Sequence, residues 1–368
     1  MRFIKGMSLC RAFCLEVVEP LLLETFPALP HSLGLLGYGS DVLGYDDEVS
    51  TDHMWGPRFL LFLRSADMGI RDDLHDLFCK RFPTAFMGYS VNFSDQNPSD
   101  GGIRTAVPIE QGPVSPLYWV HTPEAFLLEH LGKLPANAFD WLALSEHRLL
   151  GLASGQLFVD TLAFQDTLDK YARYPDDVRR YLVTSQWALI SEERAFAKRC
   201  ASVGDDTGSR LVCARIAERL MRLCFLYAGI YAPYSKWFGT AFSELPVPEE
   251  LHAALACVLS ANAIAERESS LVRAQVLVAE LHNASGLTEP LPIRVQPYFD
   301  RDIQVINTDA FSESTRATIS DPLLRAAPRI GTFSQIGNFV HLTDSPHLVE
   351  TISDFHRQVA RLSLDGGT

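Results

Sequence analysis

Between residues 37 and 53 the chain reads Gly37-Tyr38-Gly39-Ser40-Asp41-Val42-Leu43-Gly44-Tyr45-Asp46-Asp47-Glu48-Val49-Ser50-Thr51-Asp52-His53, a run of small and polar residues that ends in carboxylates. Glycine after a short apolar run lets the backbone turn sharply and brings its N–H groups close to an anion. Ser40 adds a hydroxyl donor, Gly44 lets the loop close, and Asp52 stands before the next apolar run. Amides for phosphate with a carboxylate at the mouth are what a magnesium-bridged triphosphate requires. The Gly39-Ser40 pair alone also describes a plain surface turn; the added Gly44, Ser50 and Asp52 move the reading towards a ligand site. Asp46, Asp47 and Glu48 read first as a solvated stretch, with inward folding of Asp46 or Asp47 as the alternative.

Other residues carry chemistry with less context. His53 offers a nitrogen ligand or a general base, or serves as a structural hydrogen-bonding group, and His121 has the same two readings. Arg58, after Gly56-Pro57, pairs either with phosphate or with Asp52. In Tyr234-Ser235-Lys236-Trp237, Lys236 can set an ammonium against phosphate while Tyr234 covers a base. The alternative is a lysine that lays its stem over a core tryptophan. Arg179, Arg180 and Gln186 share a helical stretch with Trp187 and read as an ion-paired face or a cleft wall. No Gly-x-Ser-x-Gly elbow, His-Glu-x-x-His helix or Walker loop occurs, so hydrolase, zincin and P-loop chemistry lack support.

These residues need elements to hold them. Ser8 to Thr25 has helical periodicity, closed by Pro27 and Pro30; Leu33 to Leu36 and Arg58 to Leu63 read as strands flanking the loop. A helix over 71–82, a polar excursion over 92–112, a strand at Leu117 to His121 and a helix beginning at Thr122-Pro123-Glu124 complete an α/β (α+β) unit, expected over 1–142. From 143 to 368 long helical periodicities dominate, at Ser145 to Leu152, Leu162 to Ala172, Asp176 to Cys200, Thr207 to Ile230, Pro248 to Leu259 and Ala261 to Leu281. They predict a helical bundle with a short mixed α/β tail, including a β-like piece at Arg301 to Ile306 and a last helix over 347–362.

At 368 residues, two packed units are expected rather than one. With 45 acidic against 32 basic residues, a net charge of −13 disfavours a long nucleic-acid backbone, which requires clustered cations, while leaving a single nucleotide possible. The seven cysteines are odd in number and sit in apolar patterns, which suits reduced core thiols rather than a disulfide framework or a zinc site. Apolar runs are too short or too interrupted to span a bilayer, and Glu16 and Glu19 break the N-terminal segment, so a cytoplasmic protein without membrane partners is expected.

Gly39-Ser40, Gly44, Ser50 and Asp52 resemble the Gly-Ser and Asp motif of the nucleotidyltransferase superfamily. The run Ser50-Thr51-Asp52-His53-Met54-Trp55-Gly56-Pro57-Arg58, with Tyr174-Pro175-Asp176-Asp177-Val178, Ser185-Gln186-Trp187 and Tyr231 to Phe242, is similar to an uncharacterised, mainly bacterial, kanamycin-nucleotidyltransferase-like branch with a helical C-terminal domain. The resemblance implies a nucleotidyltransferase-like mixed sheet with flanking helices, Mg2+ and ATP as cofactors, and transfer of AMP to a hydroxyl of a small-molecule acceptor. Residue by residue it implies Asp52 as metal ligand, Asp52 and His53 as catalytic groups, and Gly39, Ser40, Arg58, Lys236 and Tyr234 at the nucleotide. The sequence departs from the superfamily pattern at two places. The Asp-x-Asp position reads Asp52-His53-Met54, and the strand Leu117-Tyr118-Trp119-Val120-His121 has no acid, Trp119 included. A thioether is a poor ligand for hard magnesium. The departures therefore raise a second expectation, a nucleotide-binding or partner-binding protein that has lost the chemistry.

Overall fold

The computed structural model describes residues 3–51, 53–337 and 339–364, and of Asp100 only the backbone. By its internal contacts the chain divides into one unit of 1–132 with 148–172 and a second of 133–147 with 173–368. The exchange of segments differs from a single boundary near residue 142, because a strand with too little apolar character to stand out returns to the sheet.

The first unit is built on a four-stranded mixed sheet. Its strands are β1 (His31–Leu35), β2 (Arg58–Leu63), β5 (Leu117–His121) and β6 (Gln156–Asp160), in the order β5-β2-β1-β6. A two-stranded ribbon, β3 (Ala85–Phe86) and β4 (Tyr89–Ser90), lies apart from the sheet in the pairing. β1 pairs antiparallel with β2 and β6, and β2 runs parallel to β5. Every residue of β1 and β2 is buried, as expected for strands covered on both faces. The sheet strand at 156–160 falls between the helical periodicities read at Ser145 to Leu152 and Leu162 to Ala172, and the second of these is shorter than read, only Gln165–Leu168 and a 3-10 turn, Asp169–Tyr171.

The first predicted helix is present as Gly6–Phe13 and Glu19–Thr25, joined by a π-helical turn at Cys14–Val18. Its inner side puts Phe13, Val18 and Leu22 against Leu33, Phe59 and Leu61, while Leu74 and Phe78 of the Arg71–Arg81 helix join the same core. Burying each such side chain stabilises by about 1.5–3 kcal/mol before entropy is counted. Phe13, Phe78 and Phe82 surround Phe59 at centroid separations of 6.2, 5.6 and 6.2 Å, and Tyr118 stacks on it at 5.5 Å. His31 ties the helix to β1, its Nε2 lying 2.7 Å from Glu19 Oε2. The helix expected from Thr122-Pro123 starts there, with the Thr122 hydroxyl accepting the Ala125 amide at 3.2 Å.

The second unit is helical, with long helices at Asp176–Glu193, Asp206–Ala228 and Ile264–Ala284. The segment read as one helix from 176 to 200 is two, Asp176–Glu193 and Phe196–Ser202. A ribbon of β7 (Val295–Pro297) and β8 (Gln304–Ile306) stands where a β-like piece was expected, and Val349–Leu364 closes the described chain. Trp187 is fully buried, stacked on Phe311 at 5.0 Å, and its indole N–H donates to the Tyr227 hydroxyl at 2.9 Å. His282 continues that chain, with Nδ1 3.2 Å from the Tyr227 hydroxyl and Nε2 3.2 Å from Thr288 Oγ1. All seven cysteines are free thiols. Among the described residues no helix is long and apolar enough to cross a membrane.

Candidate functional site

β1 ends at Leu35 and the chain turns through Gly37, Gly39 and Gly44, all with positive φ. Gly39 has φ +122°, and a Cβ there would come within 2.2 Å of Asp41 Oδ1 and 2.6 Å of Arg58 Nη2. Only glycine fits that turn. A second close approach fixes the loop from behind, where the Gly37 amide donates to the Gly151 carbonyl at 3.1 Å. A Cβ on Gly151 would fall 1.8 Å from the Gly37 oxygen. Ser40 opens a four-residue helical turn, Ser40–Leu43, and is partly exposed; its carbonyl accepts the Tyr45 amide at 2.8 Å.

The carboxylates of this loop are held by the protein itself. Asp41 and Arg58 are each only 2% exposed and form a bidentate pair, Nε to Oδ2 at 3.1 Å and Nη2 to Oδ1 at 2.8 Å. Arg58 Nη2 also donates to the Tyr38 carbonyl at 2.9 Å, and its guanidinium lies 5.1 Å from the Tyr38 ring centre. Burial acts most strongly, against the Arg58 charge, but the Asp41 carboxylate together with Tyr38 and Cys10 outweighs it and holds the guanidinium above its ordinary pKa. Sequence reasoning offers phosphate or Asp52 as the partner of Arg58; among the described residues its carboxylate partner is Asp41, and Asp52 lies outside them.

Asp46 corrects the reading of a solvated acidic run. It is 1% exposed, accepting the Gly6 amide at 2.6 Å and the Trp55 indole N–H at 3.0 Å, with Lys5 Nζ 3.6 Å from its other oxygen. Gly6 is the first residue of its helix, so Asp46 satisfies an amide that has no partner within the helix. Asp47 is exposed and accepts the Val49 and Ser50 amides at 3.0 and 2.8 Å, and the Ser50 hydrogen bonds hold its carboxyl below the usual range. Glu48 is exposed.

Asp52 lies outside the described residues, so its expected metal-binding place is not part of this geometry. His53 is exposed. Met54 has φ +48°, and its sulfur accepts the Tyr38 hydroxyl at 2.9 Å. On the parallel neighbour β5, Trp119 meets the Tyr38 ring edge-on at 6.1 Å, and His121 Nδ1 is 3.7 Å from Glu129. Burial lowers the His121 pKa and favours its neutral form. At the other edge Asp160 accepts the Ser32 hydroxyl at 2.6 Å and the Phe164 and Gln165 amides, each at 3.0 Å. Among the described residues no group of three or more His, Cys, Asp or Glu side chains is placed to hold a metal ion.

The residues proposed from the helical segment belong to the second unit. Lys236 is exposed with its ammonium 4.8 Å from the Trp237 ring centre, the geometry of a lysine laid over its neighbour. Tyr234 lines a cavity of about 480 Å³ together with Glu146, His147, Glu218, Arg222 and Phe238, among others. Of these, sequence reasoning had singled out Tyr234 and left the charged residues aside. Arg179 donates to the Leu226 and Tyr227 carbonyls at 2.8 and 3.1 Å, closing a helix end, and Gln186 is buried against Gln335 at 3.1 Å.

A family model described as Domain of unknown function (DUF4037) matches residues 141–238. Among solved structures, the chain is similar to the nucleotidyltransferase-like protein from Exiguobacterium sibiricum 255-15, at 13% identity and a TM-score of 0.33, over 79% of this chain and 98% of that one. No curated protein matches.

Proposed function

We propose that this chain is a nucleotide-binding protein on a nucleotidyltransferase-like frame, in which the acids around the glycine loop maintain structure rather than carry out metal-dependent transfer. The observation that carries this reading is the commitment of Asp41 to Arg58 and of Asp46 to the Gly6 amide, the Trp55 indole and Lys5. The Asp41 carboxylate, both of whose oxygens are paired with Arg58, gains little from a hard cation that would displace the guanidinium. Asp46 is tied through Oδ2, while its buried Oδ1 has only Lys5 Nζ at 3.6 Å and no hydrogen bond among the described residues. Met54, engaged by the Tyr38 hydroxyl, supports the same reading. Under it, phosphate rests on the backbone at Gly39 and Ser40, and the half-exposed Tyr38 ring beside Trp119 offers a surface for the base.

The test is a calorimetric titration of the full chain with ATP, once with magnesium and once with EDTA, with pyrophosphate followed in the presence of a panel of hydroxyl acceptors. Binding in both buffers without pyrophosphate is the expected result. Pyrophosphate release that needs magnesium and disappears in Asp52→Ala would instead establish AMP transfer to a small molecule, with Asp52 as the metal ligand.

A further inference from the structure

The cavity of the second unit has a chemistry of its own. One face of the Asp206–Ala228 helix supplies Ala214, Ala217, Glu218, Met221 and Arg222, a spacing that places them along a single side. The two alanines leave room, and the two charged residues set its character. Arg222 is held from both sides, with Nη2 3.0 Å from Glu218 Oε1 and Nη1 3.4 Å from Glu146 Oε2, and its guanidinium lies 5.1 Å from the Phe238 ring centre. Across the cavity Asp344 accepts the Ser145 hydroxyl at 2.6 Å. Among the described residues three carboxylates thus line this space against one guanidinium, which two of them already engage.

A second observation lies beside the cavity. Among the described residues the hydroxyls of Tyr174 and Tyr231, which do not line it, are buried without a hydrogen-bond partner, their rings meet edge-on at 4.7 Å, and both lie within electrostatic reach of the Glu146 carboxylate. Buried polar groups are normally satisfied, and each exception calls for a cause such as a functional role or a bound water or ion. Tyr231 directly precedes Ala232 and Pro233, which line the cavity. The stretch 141–238, matched by the family of unknown function, supplies Glu146, Glu218, Arg222, Tyr234 and Phe238.

The geometry points to a binding site for an organic ammonium ion with a planar apolar body, its charge set among Glu146, Glu218 and Asp344 and its body against Tyr234 and Phe238. A space of about 480 Å³ falls in the range of small-molecule sites. Aromatic faces also attract a cation through the ring quadrupole. An anion meets the opposite field, because Arg222 is already engaged by Glu146 and Glu218. This inference does not depend on nucleotide binding at the glycine loop.

The test uses the full chain and three probes with one indole ring: tryptamine, tryptophol and indole-3-propionate, an ammonium, an alcohol and a carboxylate, titrated calorimetrically at low salt. Tryptamine is expected to bind at least tenfold tighter than tryptophol, and indole-3-propionate more weakly than either. Glu218→Gln, at a partly exposed position, should weaken tryptamine at least threefold and leave tryptophol within twofold. Gly239 lines the cavity and a Cβ there meets nothing within 4 Å, so Gly239→Phe should remove binding of both while the melting temperature holds. No binding by any probe, equal affinity for all three, preference for the carboxylate, or tryptamine affinity unmoved by both variants would overturn the assignment.

Discussion

The glycine loop of the sheet unit and the cavity of the helical unit both gather carboxylates, and they use them in opposite ways. In the loop each buried acid is turned into the protein: Asp41 is closed by Arg58, and Asp46 is held through Oδ2 by a helix-terminal amide and an indole, with a lysine 3.6 Å from its other oxygen. In the cavity Glu146, Glu218 and Asp344 border open volume, and the only guanidinium lining it among the described residues is shared between two of them. An acidic residue beside a glycine turn is therefore no indication of a metal site until its donors are counted. A buried acid on a helix facing space is the stronger pointer to a ligand.

The contrast is open to perturbation, most severely at the loop. Asp41→Ala leaves Arg58 charged and buried, and should cost about 3–5 kcal/mol in urea unfolding, whereas the double replacement Asp41→Leu with Arg58→Leu should recover most of that loss. If the single variant is as stable as the parent, the loop acids are not structural.

The next effect lies in the helical unit and follows pH. Burial lowers His282 and His356 to about 4 from an ordinary 6.5, so the unfolded chain takes up protons that the folded chain refuses. Stability is then full above pH 6.5 and falls as pH drops towards 4, by roughly 3 kcal/mol for each histidine. In the neutral relay Tyr227 donates to His282 Nδ1 and His282 Nε2 donates to Thr288, and a proton on Nδ1 disrupts it. Urea midpoints at pH 7, 5.5 and 4.5 measure the slope, which His282→Gln should reduce by about half. An unchanged slope would move the acid sensitivity elsewhere.

Gly39→Ala comes third. The strained φ, with Asp41 and Arg58 close behind it, should cost roughly 1–3 kcal/mol and weaken ATP binding together with stability. The smallest effect is expected of Tyr38→Phe, which loses only the hydroxyl contact to Met54 and should cost under about 1 kcal/mol by thermal melting while keeping the ring. A larger loss would mean that the Met54 segment is held through Tyr38 alone.

The sequence made β1, β2, β5 and the long helices legible because continuous apolar runs and 3.6-residue periodicity are local signals. The Thr122-Pro123 helix start was readable for the same reason. β6 was not, since Gln156 and Asp160 bracket only three apolar residues and its identity as a strand comes from pairing with β1, more than 120 positions away. At the loop, residue types and spacing located a strained glycine turn correctly, but not the fate of its acids: besides Trp55, the partners of Asp46 are Gly6 and Lys5, about 40 positions earlier. The cavity was the least legible feature, because Glu146, Glu218, Tyr234 and Asp344 come from four separate segments and no local pattern joins them.

The central claim is that the loop around Gly39 and Ser40 receives nucleotide without needing a metal. Hydrogen exchange of the 37–44 amides, followed by mass spectrometry with ATP in EDTA and again with ATP and magnesium, tests it directly. The account predicts slowed exchange across 37–44 to the same extent in both buffers. Slowing confined to the magnesium sample, or none in either, would contradict it.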